Sequence, residues 1–247
     1  MHDNLPVYYV MADSGELGRD SFLKLQGYHE LICRILEYDM SACNSSLSDT
    51  LAAGYAWAMI SLSIQVENPV HSCEKLSAQT WLSENEYPYQ RREIQIFSSS
   101  EKQVLSASLF MVPLNTSTHS LQPEASLLCR HFPVLNEFSV NWALPKLKTI
   151  ITENYSHIDT RTVRPSDIDA LGHLNNCIYG GYVYDLSAEL GRSYTSLPFR
   201  YTMHFIRQCT LGEKLNINAY LKNNEMHVLG LGDSDGKKRF CSILAKL

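Results

Sequence analysis

The chain has no CxxC pair, no G-x-S-x-G elbow and no apolar run of membrane-spanning length. Its seven cysteines, an odd number, are scattered, which excludes a disulfide framework and a cysteine zinc site and fits a reducing cytosol. Without the elbow, the usual serine-hydrolase layout is excluded. The uncharged stretch 50–66 is broken by Gly54, Ser61 and Ser63 and falls short of the ~20 residues that a membrane span needs, so it reads as buried strand. The first residues, MHDNLPVYYVMADSGE, lack a basic region, a long apolar region and an Arg/Ser-rich transit pattern; no targeting segment is expected and a cytoplasmic location is. Nor is there a large charge excess. A net charge of −5 and a pI near 6.0 give no electrostatic case for nucleic acid. Two short basic runs, Arg91-Arg92 and Lys237-Lys238-Arg239, read as solvated faces or as docking points for an acidic partner.

What is present is a globular composition, 45% hydrophobic and 19% charged, in 247 residues: enough for one large domain or two ordinary ones. The chain is written twice. EKLSAQTWL opens at Glu74 and EKLNINAYL at Glu213, 139 positions on (74 to 213). At that offset MISLSIQVEN (59–68) lies over PFRYTMHFIR (198–207). Segments 92–112 and 226–247 each read as two apolar strands around a polar turn.

Upstream, each half has a strand-like run, 7–11 or 160–163, and then a helical pattern. In the first, Phe22, Leu25, Leu31, Ile32, Ile35 and Leu36 recur at roughly helical spacing behind Asp20 or Ser21 as N-cap. In the second, Ile178, Val183, Leu186 and Leu190 follow Asn175 or Asn176. Aligning Gly18 with Gly172 (offset 154) leaves the first half fifteen extra residues between helix and strands (154 against 139), supplied by 41–50 as a lid or a surface loop. Residues 113–150, with Pro113, Pro123, Pro133 and Pro145, read as the connector. The expected class is α+β, each half a long helix wrapped by a curved antiparallel sheet, with the halves paired as a pseudo-dimer.

The densest chemistry is DIDALGHLNN (167–176), followed by Tyr179. A carboxylate, an imidazole and two Asn precede a helix whose first N–H groups lack intrahelical partners and carry the positive end of its dipole. Such amides polarise a carbonyl and stabilise the oxyanion of acyl transfer. Asp169 can activate water or attack directly, and His173 can orient a carbonyl. Taken singly, Asp167 and Asp169 are ordinary turn caps and His173 an ordinary hydrogen-bonded core residue; together at one helix mouth they favour function. No second His, Cys or carboxylate cluster completes a metal shell. With the Gly18–Gly172 alignment, Gly15 and Arg19 stand opposite Asp169 and His173, so one chemical centre is expected, in the second half.

This pattern resembles the acyl-acyl carrier protein (acyl-ACP) thioesterases, the prokaryotic relatives of the plant fatty-acyl-ACP enzymes. DIDALGHLNNCIY is similar to their D-x-D-x-N-x-H-x-N-N-x-x-Y, and AWAMISLSIQVENPV and QTWL to landmarks of their first half. The shorter core is shared with hotdog acyl-CoA thioesterases; the double length points to the acyl-ACP group. The resemblance implies two tandem hotdog domains: 1–125 with the acyl-chain pocket, a 126–150 linker, and 151–247 with catalysis. It implies hydrolysis of fatty acyl-ACP to free fatty acid and ACP, with no cofactor and no metal. Asp169 and His173 match the catalytic acid and imidazole, with Gln208 counted among the catalytic positions as the holder of a water, and Asn175, Asn176, Tyr179 and Cys209 are the expected substrate-binding positions. Two positions depart from the pattern. Leu171 replaces an Asn, and Gln208, before Cys209, replaces a Glu; a glutamine can hold a water but cannot take its proton. Cys209 is an alternative nucleophile or simple packing. Trp57 and Trp81 are expected at the acyl tunnel, and Arg91, Arg92, Arg161, Arg164 or Lys238 toward the carrier. The rivals are an acyl-CoA thioesterase, a hotdog protein that binds acyl thioesters without turnover, and a hotdog dehydratase. Chain-length preference is not legible, and a homodimer is open.

Overall fold

Alternating apolar positions make the long segments into strands with one face to the core. The computed structural model describes residues 1–71, 73–86, 89–122, 131–143, 154–192 and 194–247. The first half holds β1 (Tyr8–Met11), α1 (Leu25–Ala42), α2 (Leu47–Ala52), β2 (Tyr55–Val66), β3 (Lys75–Glu86), β4 (Tyr89–Ser98) and β5 (Gln103–Asn115). The second holds β6 (Ser156–Thr162), α3 (Asn176–Glu189), β7 (Phe199–Phe205), β8 (Lys214–Lys222), β9 (Glu225–Gly232) and β10 (Lys238–Lys246). The architecture is the expected α+β one. All ten strands form one antiparallel sheet in the order β1-β3-β4-β5-β2-β7-β10-β9-β8-β6, a sequence that reads the same for each half from the centre outwards.

The centre is the β2–β7 pair. Ser61 faces His204, Ser63 faces Thr202 and Gln65 faces Arg200. Moving 139 positions on from Ser61 reaches Arg200, and from Gln65 reaches His204, so the pairing maps onto itself about Ser63–Thr202. The sequence repeat is therefore a spatial two-fold. One continuous core joins the halves: Leu25, Tyr28, Ile32, Ile35 and Leu36 of α1, Tyr179, Val183 and Leu186 of α3, and inward strand residues such as Leu62, Ile64, Tyr201 and Met203. The helices pack closely at Gly180, where a side-chain carbon would stand 3.2 Å from the Gln26 Cα.

Several expectations need correction. Helix α1 starts at Leu25 with Lys24 in the N-cap position, not Asp20 or Ser21. Ser21 lies in the left-handed region (φ 64°), and Asp20 uses its carboxylate on the Phe22 amide, so the chain is still turning there. Residues 41–50 are not one loop: α1 runs through Ala42, and Ser46 caps α2 by accepting from the Asp49 amide. Pro113 belongs to β5, opposite Trp57, rather than to the connector; Pro123 and Pro145 lie outside the described residues. Residues 131–143 of the expected linker start on the helix side, where Phe132 joins the main core under Arg92, and then cross to the side of the sheet away from the helices, where Glu137, Val140 and Ala143 lie. There the Leu135 amide donates to the Leu82 carbonyl, and Val140 and Ala143 bury Phe110.

That strap decides the fate of three residues expected elsewhere. Strand alternation puts Ala78 and Leu82 in the main core and turns Trp81 outwards, where its indole N–H donates to the Glu137 carbonyl; it does not face the helices. Arg91, on the same outer side, pairs with fully buried Glu93 and donates to the Val140 carbonyl. Arg92 points inwards to an ion pair with Asp39 of α1, both residues fully buried. Neither arginine can meet a carrier. Arg239 of the other basic run is likewise buried against Glu213 and Asp235.

Candidate active site

The motif folds as a tight loop ahead of α3. Ile168 and Leu174 form an isolated antiparallel bridge, the Asp169 amide donates to the His173 carbonyl (2.8 Å) and the Gly172 amide to the Asp169 carbonyl (3.0 Å). Gly172 sits at φ +82°, the left-handed conformation that this turn demands and glycine adopts without penalty. Asp167 is structural: its carboxylate accepts from the Arg164 amide and its carbonyl from the Asn175 amide, both at 2.8 Å. Asp169 is different. Its Oδ1 accepts from the amides of Leu171 (2.9 Å) and His173 (3.1 Å), while Oδ2 takes part in neither bond. The carboxylate is thus locked in orientation at a half-buried position with one oxygen left over.

Asn175 is the N-cap of α3 and its Oδ1 accepts from the Cys177 amide (2.8 Å), the outcome its sequence position favours. The cap consumes the Cys177 amide, and the Ile178 amide donates to the Asn175 carbonyl. The Asn176 amide enters none of these bonds. The oxyanion donors available at this helix start are therefore fewer than a bare helix end offers.

The Leu174 amide donates to the Cys209 carbonyl (2.9 Å), which brings the segment carrying Gln208 alongside the loop, with Gln208 itself exposed. Asp169, His173, Asn175, Asn176 and Gln208 share one neighbourhood. Tyr179 and Cys209 lie behind it. The Tyr179 hydroxyl donates to the Cys209 sulfur at 3.3 Å, and its ring packs edge-on against Phe205 and Phe240. Cys209 is fully buried, and burial pushes its thiol up to about 11. A neutral, enclosed thiol is not a nucleophile, so Cys209 supports the loop. Leu171, where the resemblance expects Asn, is exposed.

Two histidines of the first half stand beside this loop with no local pattern to announce them. His119, in the turn after β5, has its ring centroid 6.4 Å from that of His173. His29, buried in α1, has Nδ1 3.2 Å from the Asn176 carbonyl oxygen. Burial lowers its pKa to about 4, so the ring is neutral and Nδ1 carries the proton given to that carbonyl.

The first half builds the same loop without the chemistry. Its bridge is Leu17–Leu23, each residue 151 positions before its counterpart (17 to 168, 23 to 174), and the Gly18 amide donates to the Phe22 carbonyl. The structural offset is thus 151, not 154, and the extra helix-to-strand length twelve residues, not fifteen. Gly18 and Phe22, rather than Gly15 and Arg19, occupy the places of Asp169 and His173. Among the described residues no group of His, Cys, Asp and Glu gathers as a metal site, and no helix is long and apolar enough to cross a membrane.

This duplicated helix-on-sheet arrangement is the tandem hotdog fold. The chain is similar along 98% of its length to an acyl-ACP thioesterase from Bacteroides thetaiotaomicron (97% of that chain, TM-score 0.83, 18% identity). It is also similar to the 12:0-ACP thioesterase from Umbellularia californica (97% of this chain, 96% of that one, TM-score 0.82, 16% identity). Residues 151–235 match the family model of the acyl-ACP thioesterase C-terminal domain, which bears out the resemblance carried by the motif. No curated protein matches the chain.

Proposed function

We propose that the protein hydrolyses fatty acyl-ACP, releasing free fatty acid and ACP, with Asp169 as the base. The observation that carries this reading is the asymmetry of the two loops: one backbone, built twice, with a carboxylate and an imidazole on the copy inside the matched domain and Gly18 and Phe22 on the other. Asp169 Oδ2 takes a proton from water as the water oxygen adds to the thioester carbon. The Asn176 amide and His173 hold the resulting oxyanion. The carbon–sulfur bond then breaks, and the thiolate leaves with the proton Asp169 had taken. Gln208 orients the water. No cofactor or metal enters these steps.

We assign residues 1–125 to the acyl-binding half, 126–150 to the connector and 151–247 to the catalytic half. A cytoplasmic location agrees with Cys33, Cys43, Cys73, Cys177 and Cys209 forming no disulfide among the described residues. Leu171 and Gln208 favour one competing reading, a protein that binds acyl thioesters without turnover. Thiol release from C8 to C18 acyl-ACP and acyl-CoA separates the two. Turnover on acyl-ACP that is lost in Asp169→Asn supports hydrolysis; faster turnover on acyl-CoA moves the substrate to that carrier. Saturable binding with no thiol release at any chain length refutes the hydrolase.

A further inference from the structure

We propose that His29 is a positioning residue for the catalytic loop, holding the leading turn of α3 from the opposite half through its bond to the Asn176 carbonyl. The inference rests on the hydrolase reading above.

Three observations carry it. The bond crosses between halves, 147 residues apart in sequence, and ends on the residue whose amide is left for the oxyanion. The imidazole has little freedom: it is buried, its ring centroid is 5.4 Å from that of Tyr201, and its Cδ2 lies 3.3 Å from where a side-chain carbon at Gly180 would sit. Displacing the ring therefore requires α1, α3 and β7 to move together. The third observation is that the tether exists once. At the 151 offset Gly180 occupies the place of His29 and Leu25 that of Asn176. A glycine has no side chain to reach back, so the loop without an acid has no such bond. An extra, partly satisfied polar group in a helix–helix contact costs stability, since its Nε2 has no partner among the described residues. Its presence on the acid-bearing side alone is what a positioning role explains and packing does not.

The chemistry is ordinary. A helix-start amide stabilises an oxyanion only if it points at the place where the charge develops, and small misplacements cost rate steeply. His29 does not touch substrate; its bond fixes the Asn176–Cys177 peptide and, through the Asn176 Cα, restrains the adjoining peptide that carries the Asn176 N–H.

The test uses the full-length protein with His29→Leu, His29→Asn and His29→Gln. Asparagine keeps an N–H donor close to the Nδ1 position, glutamine carries its donor one carbon further out, and leucine has none. Steady-state thiol release and hydrogen exchange of the peptide spanning 174–181 are read for each. We expect His29→Leu to lose roughly 10- to 100-fold in kcat while KM moves less than about threefold. Exchange across 174–181 speeds up, and His29→Asn recovers most of both effects where His29→Gln does not. The proposal is overturned if His29→Leu keeps wild-type kcat, if exchange is unchanged, or if Asn does no better than Gln. Should His29→Leu fail to fold, the Asn and Gln pair decides alone. Absence of thiol release by the wild type would refute the hydrolase reading, and equal release by the wild type and Asp169→Asn would refute the role of Asp169, whereas the exchange data would still judge the tether.

Discussion

The loops at Gly18 and Asp169 share a bridge, a reversed pair of main-chain bonds and a left-handed residue at their tips, yet only one carries a carboxylate. A side-chain carbon at Gly18 would collide with the Tyr184 hydroxyl of α3, so an acid at this place would have to displace the tip of that side chain. At the 151 offset Tyr184 corresponds to Cys33, a much smaller side chain, in the helix facing the acid-bearing loop. Duplication supplied one backbone twice; a large residue beside one loop and a small one beside the other separated their roles. The same contrast appears behind the loops. The Tyr28 hydroxyl accepts from the Val70 amide, whereas the Tyr179 hydroxyl donates to the Cys209 thiol, Cys209 being 139 positions after Val70. The support is retained in both halves, with different atoms.

The largest effect should come from the acid itself. Asp169→Asn keeps the Oδ1 acceptor and removes the base, and should lower kcat by about 10²- to 10⁴-fold with an unchanged melting temperature. Gly18→Asp, the reciprocal change, should restore no activity to that variant and should lower stability, because Tyr184 occupies the space. A double variant regaining turnover would show the first loop to be open after all. Next in size is the ion pair that the first half has and the second lacks. Asp39 and Arg92 are both fully buried, with the Tyr8 hydroxyl donating to Asp39 at 2.9 Å. Arg92→Leu leaves a buried carboxylate unpaired and should cost about 3–5 kcal/mol in urea unfolding. The paired change with Asp39→Leu should recover much of that loss.

Stability at acid pH tests the histidines. Burial holds both His29 and His204 at about 4, against ~6.5 for an exposed imidazole. Between these values the unfolded chain binds protons that the folded one refuses. The stability is therefore complete above about pH 6.5, falls as pH is lowered toward 4, and levels off below that. Each group accounts for on the order of 3 kcal/mol across the window. His29→Asn removes one titration, so its urea midpoint should fall less between pH 6.5 and 4 than that of the wild type. An unchanged slope would mean that His29 takes up its proton as readily in the folded chain as in the unfolded one.

Much of this was readable in the residues, and the failures have physical causes. The 139-residue offset follows from the repeated strand openings at Glu74 and Glu213, and it reappears as the self-mapping β2–β7 seam. Aligning Gly18 with Gly172 misses the loop offset by three, because the residue at the left-handed tip of the first half is Ser21, at φ 64°, and not a glycine. Asn175 as cap and the pairing of Asp169 with His173 in one turn followed from local chemistry, whereas Gln208 was pointed to only by the family resemblance; the Leu174–Cys209 bond brings its segment alongside. Arg91 and Arg92 could not be placed, since a charged pair inside a strand looks solvated until its partners, Glu93 from the same strand and Asp39 from α1, are folded against it. His29 and His119 stand against the second-half loop from the first half, and no short-range pattern reports a contact between residues 147 positions apart.

The smallest effect compares the loop tips. Gly172 at φ +82° and Ser21 at φ 64° hold equivalent places, so the first half carries a strained residue where the second does not. An L-residue in the left-handed region costs ~1–2 kcal/mol relative to glycine, partly offset because glycine has more freedom to lose on folding. Gly172→Ser should therefore destabilise by about 1 kcal/mol and Ser21→Gly should stabilise by up to that amount. Their effects on turnover should separate more sharply than their effects on stability. Ser21→Gly touches a loop with no acid and should leave kcat unchanged. Gly172→Ser disturbs the turn whose amides at Leu171 and His173 grip Asp169, and should lower kcat. Equal kcat losses in the two variants would mean that the loops share the chemistry, and the assignment of a single centre to the second half would have to be abandoned.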